Sequence, residues 1–243
     1  MFFPYRDDNP TELSPNVTVA LIGVNLLVWI LVQGMGSPVP LARSTCEFGL
    51  IPGEVLRTLP PGASFQMGDG LACVTTAAPH YWTVFTSMFL HGSWFHILGN
   101  MWFLWIFGNN IEDAMGHARY LVFYLLSGLA AAVTQTLSSP HSVVPMIGAS
   151  GAISGVMGAY LVLFPRVRVH TLLFLGFFIT TVAVPAYLML VYWFLLQLLG
   201  GLPALGGGAD QGGVAFFAHV GGFASGVALV KAFRRGDFRP GGE

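Results

Sequence analysis

The sequence predicts an all-α membrane protein in which six transmembrane helices form one bundle and both the N- and C-termini are cytoplasmic. Hydrophobic residues make up 54% of the 243 residues and charged residues only 9%, whereas a soluble domain carries about 25% charged residues. Six apolar stretches approach the length that a helix needs to cross a hydrocarbon core, about 17 to 25 residues. The distribution of lysine and arginine selects the orientation.

Five of the predicted spans correspond to predominantly apolar runs of suitable length. The remaining span, at 181–199, lies within a longer apolar stretch that has to be divided. The six spans cover residues 17–32, 94–111, 120–137, 147–164, 181–199 and 214–233. They make residues 17–233 one membrane domain between cytoplasmic tails at 1–16 and 234–243. The first tail lacks the basic start of a signal peptide, so we expect the first span to be retained in the mature protein.

The stretch from 169 to 200 is the hardest to assign. As a single helix it is too long for one span, and it is too short for two. Pro185 interrupts it, because proline removes a backbone donor and clashes with the preceding turn. We therefore predict a short interfacial or re-entrant piece at 170–178, followed by the fifth span at 181–199.

Basic residues assign the loops to the two sides of the membrane, since lysine and arginine concentrate in short cytoplasmic loops. With six spans and an inner N-terminus, only Arg43 and Arg57 fall outside. The cytoplasmic residues are then Arg6, Arg119, Arg166, Arg168, Lys231, Arg234, Arg235 and Arg239. A net charge of -1 without a long basic run also argues against a nucleic-acid partner, whose phosphates need clustered cations.

The longest outer loop, at 33–81, contains both cysteines. Cys46 and Cys73 either pair on an oxidising face or remain as two buried free thiols, and the sequence leaves both alternatives open. The loop at 200–213 is rich in glycine and is expected to be the most flexible outer segment.

Three segments contain polar residues where a bilayer favours apolar ones: HGSWFHILGN at 91–100, GAS at 148–150 and AHVGGFASG at 218–226. Ionisable and amide side chains within spans are costly, so each needs a partner or a function. Each also has an ordinary explanation, since small residues line close helix contacts and polar side chains bond between helices in membranes.

The positions of four side chains favour a common site. His96 and Asn100 lie one turn apart in the outer half of the second span. Ser150 begins the fourth span, and His219 lies near the outer start of the sixth. We therefore expect all four side chains at one depth below the outer surface. If each had a separate structural role, a common depth would not be required.

Two stripes of small residues predict which spans meet: Ser150, Ser154 and Gly158 in the fourth span, and Gly222 and Gly226 in the sixth. Facing stripes of this kind let two helix backbones approach closely. Such an approach would bring the imidazole of His219 within hydrogen-bonding distance of the Ser150 hydroxyl, as a nucleophile and its base require.

Together these segments resemble the rhomboid intramembrane serine proteases. The likeness runs from about Trp82 to Gly226 and is carried by HILGN (His96, Asn100), GASG (Gly148, Ser150, Gly151), AHVGGFASG (His219, Gly222, Gly226) and the GNNIEDAMG stretch with Glu112 and Gly116. The resemblance implies a rhomboid-like six-helix bundle with an inner N-terminus and a site that opens to the outer face. Glu112, at the inner end of the second span, we interpret as structural.

Two positions depart from the family pattern. Thr83 follows Trp82 where members often have arginine, which leaves the anchoring of the outer loop open. Ser154 stands where some members have a tyrosine stacked beneath the catalytic histidine. A hydrogen bond from the Ser154 hydroxyl is one candidate support for the imidazole.

The resemblance implies a serine endopeptidase that cleaves single-span membrane proteins in or near their transmembrane segments. Ser150 would attack the scissile carbonyl, and His219 would act as general base and then general acid. No acidic residue lies within the spans near His219, and Asp210 is in the glycine-rich loop, so we expect a Ser-His dyad. The Ser150 backbone N–H, with His96 and Asn100, would bind the oxyanion, at about 3 kcal/mol of barrier per donor.

No cofactor or metal is expected, because His91 and His96 lie five residues apart without a carboxylate or thiol at ligand spacing. The implied partners are transmembrane protein substrates and the lipid bilayer, and the sequence leaves the oligomeric state open. We expect a multi-pass protein of a bacterial plasma (inner) membrane, with the 200–213 loop and the fifth span as cover and gate of the site.

Three other functions are weighed against the protease. A non-catalytic rhomboid-like membrane chaperone or trafficking factor is the main alternative, although it has no need of Ser150 with His219. A small-solute transporter is disfavoured because the two halves show no repeat symmetry. A purely structural bundle leaves His96, Asn100 and His219 as unexplained costs.

Overall fold

The computed structural model describes residues 2–68, 70–76, 78–175, 178–205 and 215–238, and it is mostly helical. The helices, in chain order, are α1 (Asn16–Leu31), α2 (Pro38–Phe48), α3 (Pro52–Val55), α4 (Thr83–Thr86), α5 (Trp94–Met115), α6 (His117–Ser138), α7 (Ser150–Leu163), α8 (Ala186–Leu205) and α9 (Phe216–Phe233). Short 3₁₀ turns lie at Gly34–Gly36 and Ser87–Phe89.

Helix α7 lies at the centre of the bundle. Every residue from 151 to 160 is buried, and α5, α6, α8 and α9 pack around it. The outer helices, by contrast, expose leucine, valine and aromatic side chains, including Leu31, Phe95 and Leu199. An interior built on small residues inside an apolar exterior is typical of helices that associate in lipid.

Long helices lie at each of the six predicted spans, with shifted ends. Two of them, α6 and α9, are long and apolar enough to cross a membrane by length and composition. Three further helices are apolar but have 10–17 residues within Asn16–Leu31, Ser150–Leu163 and Ala186–Leu202. The count of six spans, and the side on which each terminus lies, therefore stay predictions.

The description of the fold as all-α is wrong after the C-terminal end of α7. Strands β1 (Phe2–Asp7), β4 (Arg168–Leu175) and β5 (Phe178–Pro185) form an antiparallel sheet in the order β1-β4-β5. The described residues of the piece predicted at 170–178, which are 170–175 and 178, lie in strands and not in a re-entrant helix. Thr171, Ile179 and Thr180 are among the β-branched residues of β4 and β5, which fit a pleated sheet better than a helix. The fifth long helix begins after Pro185, at Ala186 and not at 181.

The described part of the N-terminal tail, residues 2–15, contacts the bundle. Phe2 pairs with Leu173 and Asp7 with Val169 across the β1 and β4 strands. The carboxylate of Asp7 accepts hydrogen bonds from the Tyr160 hydroxyl at 2.5 Å and from the Asn110 amide at 2.7 Å. Burial raises the pKa of Asp7, and the hydrogen bond from Tyr160 opposes that rise.

Glu112 anchors the start of α1, in keeping with the structural role inferred from sequence. Its carboxylate accepts from the backbone N–H groups of Val17 and Thr18, both at 2.8 Å, and from the Thr18 hydroxyl at 2.7 Å. A carboxylate at this place pairs the free N–H groups of a helix start and faces the positive end of its dipole. The Nδ1 atom of His117 lies 2.6 Å from the same carboxylate.

The segment between α1 and α5 contains a hairpin that is covalently linked to a helix. Strands β2 (Ser64–Gly68) and β3 (Leu71–Val74) pair in antiparallel fashion. A disulfide joins Cys46 of α2 to Cys73 of β3, which answers the question that the sequence left open. The hairpin is thereby attached to α2.

This disulfide predicts a simple labelling result. Denatured protein treated with a maleimide should gain no adduct without reductant and two adducts after reduction, measured as intact mass, because the chain has two cysteines and both are paired. Cys73→Ala is the matched control, since it frees Cys46 and should add one adduct without reductant. Two adducts on the unreduced wild type would contradict the pairing.

Candidate active site

Ser150 lies at the first residue of α7, directly after a sharp entry of the chain. Gly148 adopts φ 130°, and a Cβ built there would lie 2.8 Å from Nε2 of His96, so glycine is needed for both backbone and space. The Gly148 N–H donates to the Ser87 carbonyl at 2.9 Å, which fixes the loop against the segment before α5. Because Ser150 begins the helix, its N–H has no acceptor one turn earlier.

His219 of α9 contacts Ser150 directly. The Nε2 atom of its imidazole lies 2.7 Å from the Ser150 hydroxyl oxygen. The approach depends on glycines in α9, because a Cβ on Gly222 would collide with the Gly151 carbonyl and one on Gly226 with the Gly155 carbonyl. The two helices meet as the small-residue stripes predict.

The contact face of α7 is nevertheless rotated from the predicted one. The backbone meets α9 through Gly151 and Gly155, and further along through Gly158, whose added Cβ would collide with the Phe223 carbonyl. Ser154 lies on the neighbouring face, where its hydroxyl donates to the Ser150 carbonyl at 2.6 Å. The predicted stripe identifies the partner helix and shares Gly158 with the contact face, but Gly151 and Gly155 form the rest of the contact in place of Ser150 and Ser154.

The support of the imidazole differs from the one suggested by sequence. Ser154 makes no hydrogen bond to His219, because its hydroxyl is used by the Ser150 carbonyl. Instead, the Gln197 side-chain carbonyl oxygen lies 2.7 Å from Nδ1 of His219. The Trp193 ring lies beside the imidazole, with centroids 5.6 Å apart and planes at 40°. Both residues come from α8.

His96 and Asn100, both of α5, line the same cavity as Ser150. Nδ1 of His96 accepts the Gly92 N–H at 3.2 Å, so a neutral imidazole has its proton on Nε2 and can donate from there. The Asn100 side chain is buried, and its Nδ2 group has no hydrogen-bond partner among the described residues. A buried unpaired donor is costly unless a ligand accepts from it.

A neighbouring histidine remains uncharged. His91, just before α5, is fully buried, and its ring lies 5.1 Å from that of His96. Burial, with a smaller effect of His96, lowers the pKa of His91 to about 3. His91 therefore contributes no positive charge beside the donors of α5.

One cavity of about 570 Å³ contains all four predicted side chains on its walls: His96, Asn100, Ser150 and His219. The cavity is also lined by Ser154, by Trp193 and by two residues of the hairpin strand β2, Phe65 and Met67. The disulfide-tied hairpin thus forms part of the cavity wall. The 200–213 loop that we expected as cover lies mostly outside the described residues.

Several residues of the site were missed from sequence. Gln135 of α6 accepts the Ala218 N–H at 3.2 Å and so anchors the start of α9 beside His219. Gln197 and Trp193 are four apart in an apolar helix, and a lone amide one turn from a tryptophan is a usable signal. The hairpin residues carried no such signal, because aromatic and methionine side chains in a loop have many explanations.

Comparison with known proteins identifies the family. The family model described as Rhomboid domain matches residues 78–236, which is more than half of the chain. The chain belongs to the rhomboid family. The match spans the described parts of α5 to α9, and so all four residues that meet at the cavity. Rhomboids are membrane-integral and are generally serine intramembrane proteases.

Curated rhomboids from plants, bacteria and yeast resemble this chain. "RHOMBOID-like protein 1" of Arabidopsis thaliana is 31% identical over 63% of this chain and 34% of its own length. "Rhomboid protease GluP" of Bacillus subtilis is 35% identical over 35% of this chain and 16% of its own. "Rhomboid protein 1, mitochondrial" of Saccharomyces cerevisiae is 31% identical over 60% of this chain and 40% of its own. The rhomboid chain thus matches well under half the length of each.

Proposed function

We propose that this rhomboid is an intramembrane serine endopeptidase that cleaves single-span membrane proteins in or near their transmembrane segments. The observation that carries the proposal is the 2.7 Å contact between the Ser150 hydroxyl oxygen and Nε2 of His219. A nucleophile and its base need this distance, and the pair faces a cavity that can admit a peptide and water. A non-catalytic rhomboid-like factor would not require the contact.

The reaction proceeds by acyl transfer. The Ser150 oxygen attacks the scissile carbonyl carbon while Nε2 of His219 takes the hydroxyl proton. When the tetrahedral intermediate collapses, the C–N bond breaks and the imidazolium returns that proton to the leaving amine. Water then enters and attacks the ester carbonyl carbon while Nε2 of His219 takes its proton. When this second tetrahedral intermediate collapses, the ester C–O bond breaks, the imidazolium returns the proton to the Ser150 oxygen, and the carboxyl product is released.

Three donors are positioned for the negative charge that develops on the carbonyl oxygen. The Ser150 N–H is at the start of α7, where the helix dipole adds positive potential. Nε2–H of His96 and the unpaired amide of Asn100 approach from α5. Donors of this kind contribute most when they are fixed before the reaction begins.

Removing either side-chain donor should slow the chemistry without weakening substrate binding. We expect His96→Ala and Asn100→Ala each to lower kcat by about 100-fold while KM changes little, because the oxyanion exists only along the reaction path. Steady-state cleavage of a fluorogenic single-span substrate in detergent measures both constants. The matched control is Leu98→Ala, an exposed residue of the same helix, which should behave as wild type. An unchanged kcat in both donor variants would exclude them as oxyanion ligands.

The proposed arrangement in the membrane follows from the positive-inside rule. The inner side would contain the β1-β4-β5 sheet and the basic end of α9, whereas the Ser150 end of α7 would open to the outer face. A disulfide in the outer hairpin agrees with an oxidising compartment there. We propose a bacterial plasma membrane as the location, with α8 and the loop after it as gate and cover.

The test of the function is cleavage by the purified protein. Wild-type protein in detergent micelles is incubated with several single-span substrates that have small residues and a helix-destabilising residue near the outer end, and the products are sized by mass spectrometry. A single defined cut within or beside the span, and labelling of Ser150 by a fluorophosphonate, are the expected results. Absence of both across the substrate panel would overturn the proposal and favour the non-catalytic alternative.

A further inference from the structure

Helix α8 presents two side chains to His219 from one face. Trp193 and Gln197 are four residues apart, so they lie one turn from each other. Gln197 is the only amide or charged residue in the sequence of α8, where otherwise aromatic and aliphatic residues prevail. A single amide in an apolar helix needs a partner, and here the partner is His219 at 2.7 Å.

Aromatic packing fixes the height of this amide along α9. The Phe194 ring of α8 stacks on the Phe223 ring of α9, with centroids 4.7 Å apart and planes at 28°. Trp193 contacts both His219 and Phe223, at centroid distances of 5.6 and 6.3 Å. These contacts hold α8 in register with α9, so that Gln197 stays level with the imidazole.

The contact between Gln197 and His219 bears on which ring nitrogen of His219 carries the proton. The side-chain carbonyl oxygen of Gln197 can only accept, so its 2.7 Å contact with Nδ1 of His219 is a hydrogen bond in the tautomer that has the proton on Nδ1. A neutral imidazole has one ring proton, which leaves Nε2 free to accept from the Ser150 hydroxyl. In the opposite tautomer the proton would lie on Nε2, between the imidazole and the Ser150 oxygen. Nε2 could then not accept the hydroxyl proton, and Ser150 would have no base.

We propose that Gln197 is the positioning residue of His219, selecting the Nδ1–H tautomer and the ring orientation in which Nε2 serves as base, a role that rests on the proposed protease function. It would do in this chain what a third, acidic residue does in a Ser-His-Asp triad, but without a charge. Trp193 adds a tilted ring contact beside the imidazole. Ser154, in turn, is left to bond the Ser150 carbonyl.

Kinetics of two replacements at Gln197 test the role. Gln197→Met keeps the length of the side chain but removes the acceptor, and we expect kcat/KM to fall about tenfold, the equivalent of one neutral hydrogen bond, with most of the loss in kcat. Gln197→Glu restores an acceptor and should recover activity close to that of wild type. Leu196→Met, an exposed neighbour in α8, is the control for a change of side chain at this level. Equal loss in the Met and Glu variants would overturn the proposal.

A spectroscopic measurement decides the same question without any cleavage. In protein labelled with ¹⁵N-histidine, the protonated and bare ring nitrogens have distinct chemical shifts, and His219→Gln identifies the His219 signals. We expect the Nδ1–H form in wild type and Gln197→Glu, and its loss in Gln197→Met. An unchanged Nδ1–H form in Gln197→Met would refute the positioning role. A wild type that shows the Nδ1–H form but cleaves nothing would refute the protease function and leave the contact in place.

Discussion

Ser150→Ala is expected to lower the rate of substrate cleavage by at least about 10⁴-fold, and His219→Ala by a similar factor. The reason is that the two side chains act as one unit. Without the Ser150 oxygen no acyl-enzyme can form, and without Nε2 of His219 the hydroxyl at 2.7 Å is a poor nucleophile. The remaining rate would come from the oxyanion donors and from substrate binding alone.

The double variant carries the sharper information. Because each single change already removes the shared step, Ser150→Ala with His219→Ala should be no slower than either alone, in single-turnover assays with excess enzyme. Ser138→Ala is the matched control, since the hydroxyl of that serine bonds the Gln135 carbonyl of its own helix, α6, and makes no contact with His219. Cleavage by Ser150→Ala at the wild-type rate would exclude Ser150 as the nucleophile.

Gly226→Val is expected to destabilise the bundle by about 3 kcal/mol or more and to abolish activity. An added Cβ at this position would collide with the Gly155 carbonyl of α7, and a backbone group cannot rotate away as a side chain can. The helices must then separate, which moves His219 away from Ser150 because both lie on the helices that are forced apart.

The measurement is thermal or denaturant unfolding in detergent, followed by the cleavage assay. Gly23→Ala is the matched control: that glycine lies in α1 with no atom within 4 Å of an added Cβ, so alanine should leave stability equal or slightly higher. If Gly226→Val unfolded together with wild type, the close approach of α7 and α9 would not be what holds the bundle together.

The long helices could be predicted because a bilayer constrains them so strongly. Any segment of about 20 apolar residues has few alternatives to a helix in lipid, which is why the helices at 94–115 and 117–138 match apolar runs. The stretch from 169 to 185 escaped this logic. Its apolar residues suit either a membrane segment or a strand, and the choice of strand depends on pairing with the distant β1 segment, which no local pattern encodes.

The candidate site divides along the same line. His96, Asn100, Ser150 and His219 could be found in the sequence because each is a polar residue at a place where polarity is costly, and their spacing predicted a common depth. The rhomboid resemblance that these residues carry is confirmed by the domain match over residues 78–236. The chemistry of a side chain and its position along a span can both be read at a single residue, so the amino-acid sequence is enough to predict them.

The residues that orient His219 required the fold. Ser154 was the nearest polar group in sequence terms, one turn from Ser150, yet Gln197 holds the imidazole from α8, 22 residues before His219. Likewise Gly151 and Gly155, rather than the neighbouring stripe through Ser154, form the contact with α9. The rotation of each helix about its axis depends on the packing of all its neighbours at once, and that rotation decides which of two adjacent faces meets the base.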